Sequence, residues 1–127
     1  NLVVIMAGYE DEMQQLLDMN PGFNSRMPFR MHFNNYSSEE IVSIVKNLLI
    51  EKNFWMSEES ELCLVEEIQR YADQNNNVFD GNARWARNLV EKIHMEQNNR
   101  LAISDDYEID MQEIVVTDIQ SALERIQ

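Results

Sequence analysis

The chain has 127 residues, and its 23 acidic and 10 basic side chains give a formal net charge of −13. With 44% apolar residues it can bury a core, so wholesale disorder is not expected. Its acidity argues against a protein that binds nucleic acid, because phosphate neutralisation needs a surplus of Lys and Arg. One cysteine excludes an internal disulfide, and no apolar run is long enough to span a bilayer. We expect one small domain with, at most, a fragment of a second, in the reducing cytoplasm.

The first predicted element is a strand at Leu2–Ala7. Its apolar run is continuous, which is typical of a strand buried on both faces of a parallel sheet. A second strand is predicted at Phe29–Phe33, and two strands alone are marginal in water. The chain does not begin with Met and opens inside this apolar run, so we expect a piece of a longer protein. Either sequence outside the chain completes the sheet, or this end is distorted in the isolated piece.

Between these strands a short helix is predicted at Glu10–Met19, and Asn20-Pro21-Gly22 should end it. From Ser37 onward the pattern is helical. Ser37 and Glu40 form a capping box, which predicts a helix start. The stripe that follows at helical spacing consists of Ile41, Ile44, Val45, Leu48 and Leu49.

A second helix of this part is predicted to start at Ser57 and to end at the run Asn75–Asn77. Its inner face is predicted to carry Leu62, Val65, Ile68 and Ala72. A third helix is predicted to start around Asn82, with Trp85, Leu89, Ile93 and Leu101 directed inward.

After a polar connection at Ser104–Asp110, the pair Thr117 and Gln120 predicts the start of a short final helix. Its apolar face would carry Ile119, Ala122, Leu123 and Ile126. The composition shifts near Tyr36. We therefore predict two parts, the end of an α/β layer at residues 1–36 and a four-helix unit at residues 37–127.

Chemistry on phosphate groups needs a cradle of backbone N–H groups or fixed positive charge. The cradle motif G-x-x-x-x-G-K-[ST] is absent, because none of Gly8, Gly22 and Gly81 stands in it. Asp11 and Glu12 lie too far after the end of the first strand to form a magnesium-binding pair. They are better explained as acidic residues in the first turn of a helix, where the helix dipole favours them.

Two arginines stand in informative positions. Arg26 lies in N-S-R-M-P, a predicted loop ahead of the second strand, and Arg84 lies in D-G-N-A-R at a predicted helix start. An arginine in a first turn is unfavourable because the helix dipole is positive there. Either an anion binds at this end, or Arg84 is a solvated side chain that pairs with Asp80.

Several short motifs occur in a fixed order: V-V-I-M-A-G-Y at 3–9, Met13, N-P-G-F at 20–23, S-R at 25–26, F-x-x-Y-S-x-E-E-I at 33–41 and G-N-A-R-x-A-R-N at 81–88. In this order they resemble the C-terminal half of an AAA+ ATPase. The most similar branch contains stage V sporulation protein K and the red-type rubisco activase CbbX. The resemblance runs from Leu2 to about Leu101.

This resemblance implies a mostly α fold, in which the C-terminal edge of a P-loop α/β core precedes a four-helix lid. Leu2–Ala7 would be the sensor-1 strand, and Phe29–Phe33 the last strand of the core. The helices from Ser37 would be the lid. The Walker A loop and the Walker B strand would lie upstream of this chain.

The resemblance also implies roles for individual residues. Arg26 matches the arginine finger, which would reach ATP bound by the neighbouring subunit, and Arg30 is a second candidate. Arg84 matches the sensor-2 arginine, which contacts nucleotide in its own subunit. Arg87, one helical turn later, could share that role or meet a neighbouring subunit. Tyr9 is the one residue that could serve as sensor 1.

The implied parent is an ATPase that binds ATP and Mg²⁺, self-associates into a ring, expected to be a hexamer, and remodels a protein client. Neither nucleic acid nor a membrane is an expected partner. This piece, which lacks Walker A and Walker B, should hold no cofactor and should be inactive alone. The alternative is a non-enzymatic, acidic helical module that binds a protein partner; an AAA+ nucleic-acid loader is a third reading, disfavoured by the charge.

The remaining conspicuous side chains are interpreted as structural. Trp55 is expected to fill the lid core, and Cys63 to be a small buried hydrophobe. His32 and His94 lack the spacing of metal ligands, so no metal site is predicted. The eight methionines and Trp85 are interpreted as core or interface residues.

Overall fold

The computed structural model describes residues 1–126, which form six helices and two short strands. In chain order these are α1 (Glu10–Met19), α2 (Pro21–Arg26), α3 (Ser38–Glu51), β1 (Trp55–Met56), α4 (Glu58–Gln74), α5 (Ala83–Ala102), β2 (Glu113–Ile114) and α6 (Val116–Glu124). The chain divides into two compact units, unit 1 at Asn1–Asn34 and unit 2 from Asn35 onward. The predicted class is confirmed, since the fold is mostly helical and unit 2 contains four helices.

Unit 1 contains α1 and α2 without a sheet. Within residues 1–126 no strand forms at Leu2–Ala7 or at Phe29–Phe33, so both strand predictions are wrong for this chain. Leu2 is 88% and Phe29 is 92% exposed. A strand needs a hydrogen-bonded neighbour, and neither run pairs with another part of the described chain.

Helix α1 has the predicted bounds, and Asn20 follows its last residue. The chain does not then enter a loop. Pro21 starts the six-residue helix α2, because its fixed φ suits the first helical position. Arg26 is consequently the last residue of a helix rather than part of a loop, which corrects the prediction.

Helix α3 starts with the predicted capping box. The Ser37 Oγ accepts a hydrogen bond from the backbone N–H of Glu40 at 3.2 Å, and the Glu40 carboxylate accepts one from the N–H of Ser37 at 2.8 Å. Two orphan donors of the helix start are thereby satisfied. Of the predicted stripe, Ile41, Val45 and Leu49 are buried, and Ile44 and Leu48 are half-buried against the core. Val42 is buried in addition.

Helix α4 starts at the predicted cap, where Ser57 Oγ accepts from the N–H of Ser60. Its inner face is rotated from the prediction: Leu62 is 59% and Val65 is 44% exposed. Residues 62–65 are all apolar, so the sequence leaves the orientation of this turn ambiguous. Packing against the other helices selects the buried set Ser60, Cys63, Leu64, Ile68 and Ala72.

The strands β1 and β2 were not predicted. They pair in parallel, with Trp55 opposite Glu113 and Met56 opposite Ile114. Trp55 is 45% exposed, so the prediction that it fills the core is wrong. Phe54 packs against the core instead, with its ring centroid 4.9 Å from that of His94.

Helix α6 starts at Val116, two residues earlier than a capping pair of Thr117 and Gln120 would place it. Its first turn is held by Asp118, whose Oδ2 accepts from the N–H of Val115 at 3.0 Å, and not by Thr117 with Gln120. A buried carboxylate is favourable here because it is also paired with an arginine, Arg100. The predicted inner face is confirmed, since Ile119, Ala122, Leu123 and Ile126 are all buried.

Candidate functional site

Helix α5 follows a turn that has two successive residues with positive φ. Gly81 has a φ of +80° and Asn82 a φ of +50°. Just before them Phe79 is buried, and its carbonyl accepts from the N–H of Asn82 at 2.8 Å. A Cβ at Gly81 would lie 3.3 Å from the Cβ of Arg84, so both conformation and space favour glycine. The turn therefore leads directly from a buried residue into an exposed helix start.

Arg84 is the second residue of α5, as the motif predicted. Its side chain is exposed, and it forms no ion pair with any residue in the described range 1–126. The alternative in which Arg84 pairs with Asp80 is therefore not realised. Arg87, one turn further on, is also exposed and has no ion-pair partner among these residues. Both guanidinium groups are open to a ligand.

The start of α5 differs from the starts of the other helices of unit 2. The helices α3 and α4 have serine caps and glutamates in their first turns, and α6 has Asp118. Within the described residues α5 has neither a side-chain cap nor an acidic residue in its first turn. The positive end of the helix dipole and the charge of Arg84 are thus uncompensated by the chain. Such an arrangement attracts an anion.

The Asn82 side chain contacts the segment where unit 2 begins. Its Oδ1 accepts from the backbone N–H of Tyr36 at 3.0 Å, and its Nδ2 donates to Asn35 Oδ1 at 3.1 Å. From the sequence motif, Asn82 was predicted to lie at a helix start, without a contact to another segment of the chain. No local pattern could have predicted a partner that lies 46 residues away in the sequence.

An aromatic cluster anchors the same turn. The ring of Trp85 lies 4.8 Å from those of Tyr71 and Phe79, and Trp85 is buried, which confirms its interpretation as a core residue. Its Nε1 has no hydrogen-bond partner among residues 1–126. Tyr71 and Phe79 were missed, because a single aromatic residue near an Asn-rich turn adds no periodicity. With Trp85 buried, the neighbouring Arg84 side chain is left on the exposed side of the helix.

The other candidate residues lie in unit 1. Arg26 is exposed at the C-terminal end of α2, where the helix dipole favours a cation, and it forms no ion pair within the described chain. Arg30 donates to Asn24 Oδ1. Tyr9 is 80% exposed and directly precedes α1, without the strand that was expected before it.

Three other kinds of functional feature are a metal site, a membrane-spanning helix and a cavity. His32 contacts Glu10 at 3.4 Å, and no group of three or more His, Cys, Asp or Glu side chains in residues 1–126 could hold a metal ion. No helix in this range is both long and apolar enough to cross a membrane. A shallow groove of about 540 Å³ lies between the end of α5 and the start of α6, and none of the candidate residues lines it.

Known proteins are similar to this chain over most of its length. Residues 37–127 match the family model described as AAA lid domain. A Protein CfxQ homolog from Pyropia yezoensis is 32% identical over 123 residues, which are 97% of this chain and 40% of the relative. Stage V sporulation protein K from Bacillus subtilis is 32% identical over 105 residues, 83% of this chain and 33% of the relative.

Protein CbbX from Cereibacter sphaeroides is 38% identical over 101 residues, which are 80% of this chain and 32% of the relative. The chain therefore spans between 32% and 40% of the length of these three relatives.

Proposed function

This chain belongs to the AAA+ ATPase family, through its AAA lid domain at residues 37–127, and on that premise we propose a function for it. It is the C-terminal part of an ATPase that couples ATP binding and hydrolysis at subunit interfaces to the remodelling of a protein client. The resemblance identified from the sequence motifs is the same family. ATP, with Mg²⁺, is the proposed substrate of the longer protein.

The observation that carries the proposal is the placement of Arg84. It is an exposed cation without an intramolecular ion pair in the described chain, at a helix start that lacks a cap and an acidic residue. A bound phosphate group would compensate both the dipole of α5 and the guanidinium charge. Arg84 would thus contact nucleotide bound by its own subunit, and Arg87, three residues later and also exposed, would share this role or meet a neighbour.

Arg26 is proposed to act on ATP bound by the neighbouring subunit. A guanidinium remains charged and donates in a planar fork, so it can stabilise the charge that develops on the transferred phosphoryl group. The exposure of Arg26 at the end of a short helix leaves it free to reach another chain. Tyr9 is the proposed sensor-1 residue, because it is the polar residue that follows the apolar run.

The proposed assembly is a ring of subunits, a hexamer, in the cytoplasm. The net charge of −13 favours a protein client over nucleic acid. One relative is named for a stage of sporulation, and this name suggests sporulation as a process in which the chain could act. A shared fold does not determine the client.

The test compares Arg26→Ala and Arg84→Ala in the full-length protein. Arg26→Ala should lower kcat by about 10³-fold or more while the protein still binds ATP. Arg84→Ala should also lose turnover, and it should weaken the binding of ATP more than that of ADP. Arg70→Ala is the matched control, since Arg70 is an exposed lid arginine that pairs with Glu67 at 2.6 Å.

Mixing the two inactive variants tests action between subunits. An Arg26→Ala subunit keeps its own Arg84 and would receive Arg26 from an Arg84→Ala neighbour, so part of the turnover should return. The 127-residue chain by itself, whose sequence lacks G-x-x-x-x-G-K-[ST], should not hydrolyse ATP. Unchanged turnover in both variants would mean that neither arginine acts on ATP, and a full-length protein that hydrolyses no ATP would favour the acidic interaction module.

A further inference from the structure

Asn82 stands at the position that normally caps a helix, yet it caps nothing. An asparagine before a first turn usually accepts a hydrogen bond from the helix's own N–H groups. Here its carboxamide is directed to residues 35–36, with contacts of 3.0 Å to the Tyr36 N–H and 3.1 Å to Asn35 Oδ1. The side chain therefore uses both its acceptor and its donor on another segment of the chain.

The backbone of Asn82 points to the same conclusion. Its φ of +50° and ψ of −108° belong to a region that glycine enters more easily than asparagine. A residue in such a conformation persists when the surrounding structure holds it there. The two long-range hydrogen bonds and the buried neighbours Phe79 and Trp85 provide that constraint.

We propose that Asn82 is a positioning residue that fixes the first turn of α5, and with it Arg84, to the segment at Asn35–Tyr36. This inference rests on the proposed function of Arg84. Arg84 follows Asn82 by two residues on a helix, so the two move together as one rigid element. A shift of Arg84 toward or away from a phosphate group is then transmitted to residues 35–36, which lead directly into the capped start of α3 at Ser37.

The contact is tested first in the 127-residue chain by amide hydrogen exchange. Asn82→Gly removes the carboxamide and relaxes the backbone, so the helix start should survive. The Tyr36 amide should then exchange about ten-fold faster, because it loses its acceptor. The matched control is Asn77→Gly, since Asn77 is exposed, has a φ of 59° and makes no side-chain hydrogen bond among residues 1–126. Unchanged exchange at Tyr36 in Asn82→Gly would overturn the proposal.

The positioning role is tested in the full-length protein. Asn82→Gly should lower kcat about ten-fold with KM unchanged, because Arg84 remains present but is no longer held to residues 35–36. Asn82→Asp tolerates a positive φ and keeps an acceptor for the Tyr36 N–H. If the side-chain amide of Asn35 rotates so that its NH₂ group faces residue 82, the second contact is kept as well. In the 127-residue chain this variant should therefore keep the Tyr36 amide protected from exchange, and Asn77→Gly should retain turnover in the full-length protein.

The outcomes separate this inference from the proposed function. If Arg84→Ala loses turnover and Asn82→Gly does not, Asn82 has no positioning role although the ATPase proposal stands. Equally fast exchange of the Tyr36 amide in Asn82→Gly and Asn82→Asp would also contradict the role, because the side-chain acceptor at residue 82 would then not be what protects this amide. If the unaltered protein hydrolyses no ATP, both the proposed function and the positioning role fail.

Discussion

Arg100 and Asp118 form a bidentate ion pair, in which Nε–Oδ1 and Nη2–Oδ2 are each 3.0 Å apart. Asp118 is 2% exposed, and its Oδ2 also accepts from the N–H of Val115. Arg100 in turn donates to the carbonyl of Glu113 at 3.0 Å. The buried ion pair thus joins the last turn of α5, the strand β2 and the first turn of α6.

Asp118→Asn should destabilise unit 2 by about 3 kcal/mol, because it leaves the Arg100 charge partly buried without its counter-ion. The free energy of unfolding, measured by urea denaturation, checks this value. Glu61→Gln is the matched control, since its pair with Lys46 at 3.0 Å is largely solvated and should contribute only about 0.5 kcal/mol. Equal effects of the two substitutions would mean that the Arg100–Asp118 pair adds no more than a surface pair.

Gly81→Ala should destabilise unit 2 by about 1–2 kcal/mol, because alanine at a φ of +80° is strained and its Cβ crowds that of Arg84. Thermal unfolding followed by near-ultraviolet circular dichroism, to which the buried Trp85 contributes, reports the change. Gly22→Ala serves as the control: no atom lies within 4 Å of the added Cβ, and the residue is in helix α2. Its unfolding midpoint for unit 2 should match that of the unaltered chain. Wild-type stability in Gly81→Ala would contradict the strain.

The pKa of Asp110 should lie below the ordinary value of an aspartate. The backbone N–H of Gln112 donates to Asp110 Oδ1 at 2.7 Å, and the Trp55 indole donates to Oδ2 at 2.9 Å. These two bonds, in that order, lower the pKa because they favour the charged carboxylate. The stability that they contribute is present above the unfolded-state pKa and is lost as the pH falls through the folded-state pKa.

The Trp55 indole N–H resonance in NMR spectra should therefore titrate with a midpoint below about 3.9, the value of an unperturbed aspartate. Asp110→Asn should abolish the titration. Asp106→Asn, which alters another carboxylate of the same connection, should leave the midpoint unchanged. A midpoint at or above the ordinary value would show that these hydrogen bonds do not persist in solution.

Cys63 should react slowly in the folded chain. Burial, followed by the charges of Glu67 and Glu66, raises the pKa of its thiol, and the thiolate is the reactive form. Alkylation by iodoacetamide at pH 8, followed by mass spectrometry, should be at least about ten-fold slower in the native chain than in urea. Because the folded-state pKa is raised, the stability contributed by the protonated Cys63 thiol is fully present below the unfolded-state pKa. It is lost as the pH rises through the folded-state pKa.

The alkaline loss of stability supplies the control for Cys63. In Cys63→Ala the part of that loss due to the thiol should disappear. The unfolding midpoint of the variant should therefore fall less between pH 8 and pH 10 than that of the unaltered chain. Rapid alkylation of the native chain would contradict the burial of Cys63.

The helices of unit 2 could be predicted because their signals are local. A serine cap at Ser37 or Ser57 and an apolar spacing within one helix involve residues only a few positions apart. The placement of Arg84 in a first turn followed from the same kind of signal. The orientation of α4 did not, since four consecutive apolar residues permit more than one buried face and only the neighbouring helices select among them.

The sequence by itself determined where α3 and α4 start and where α4 ends, which family the chain resembles and which arginines are candidates for contact with phosphate. Tertiary structure alone decided that Phe54 rather than Trp55 packs on the core, that β1 pairs with β2, that the apolar run at 2–7 is not a strand here and that Asn82 contacts Asn35 and Tyr36. Each of these depends on a partner far along the chain, or on the lack of one. Periodicity and capping are properties of a single element, so they carry no information about such partners.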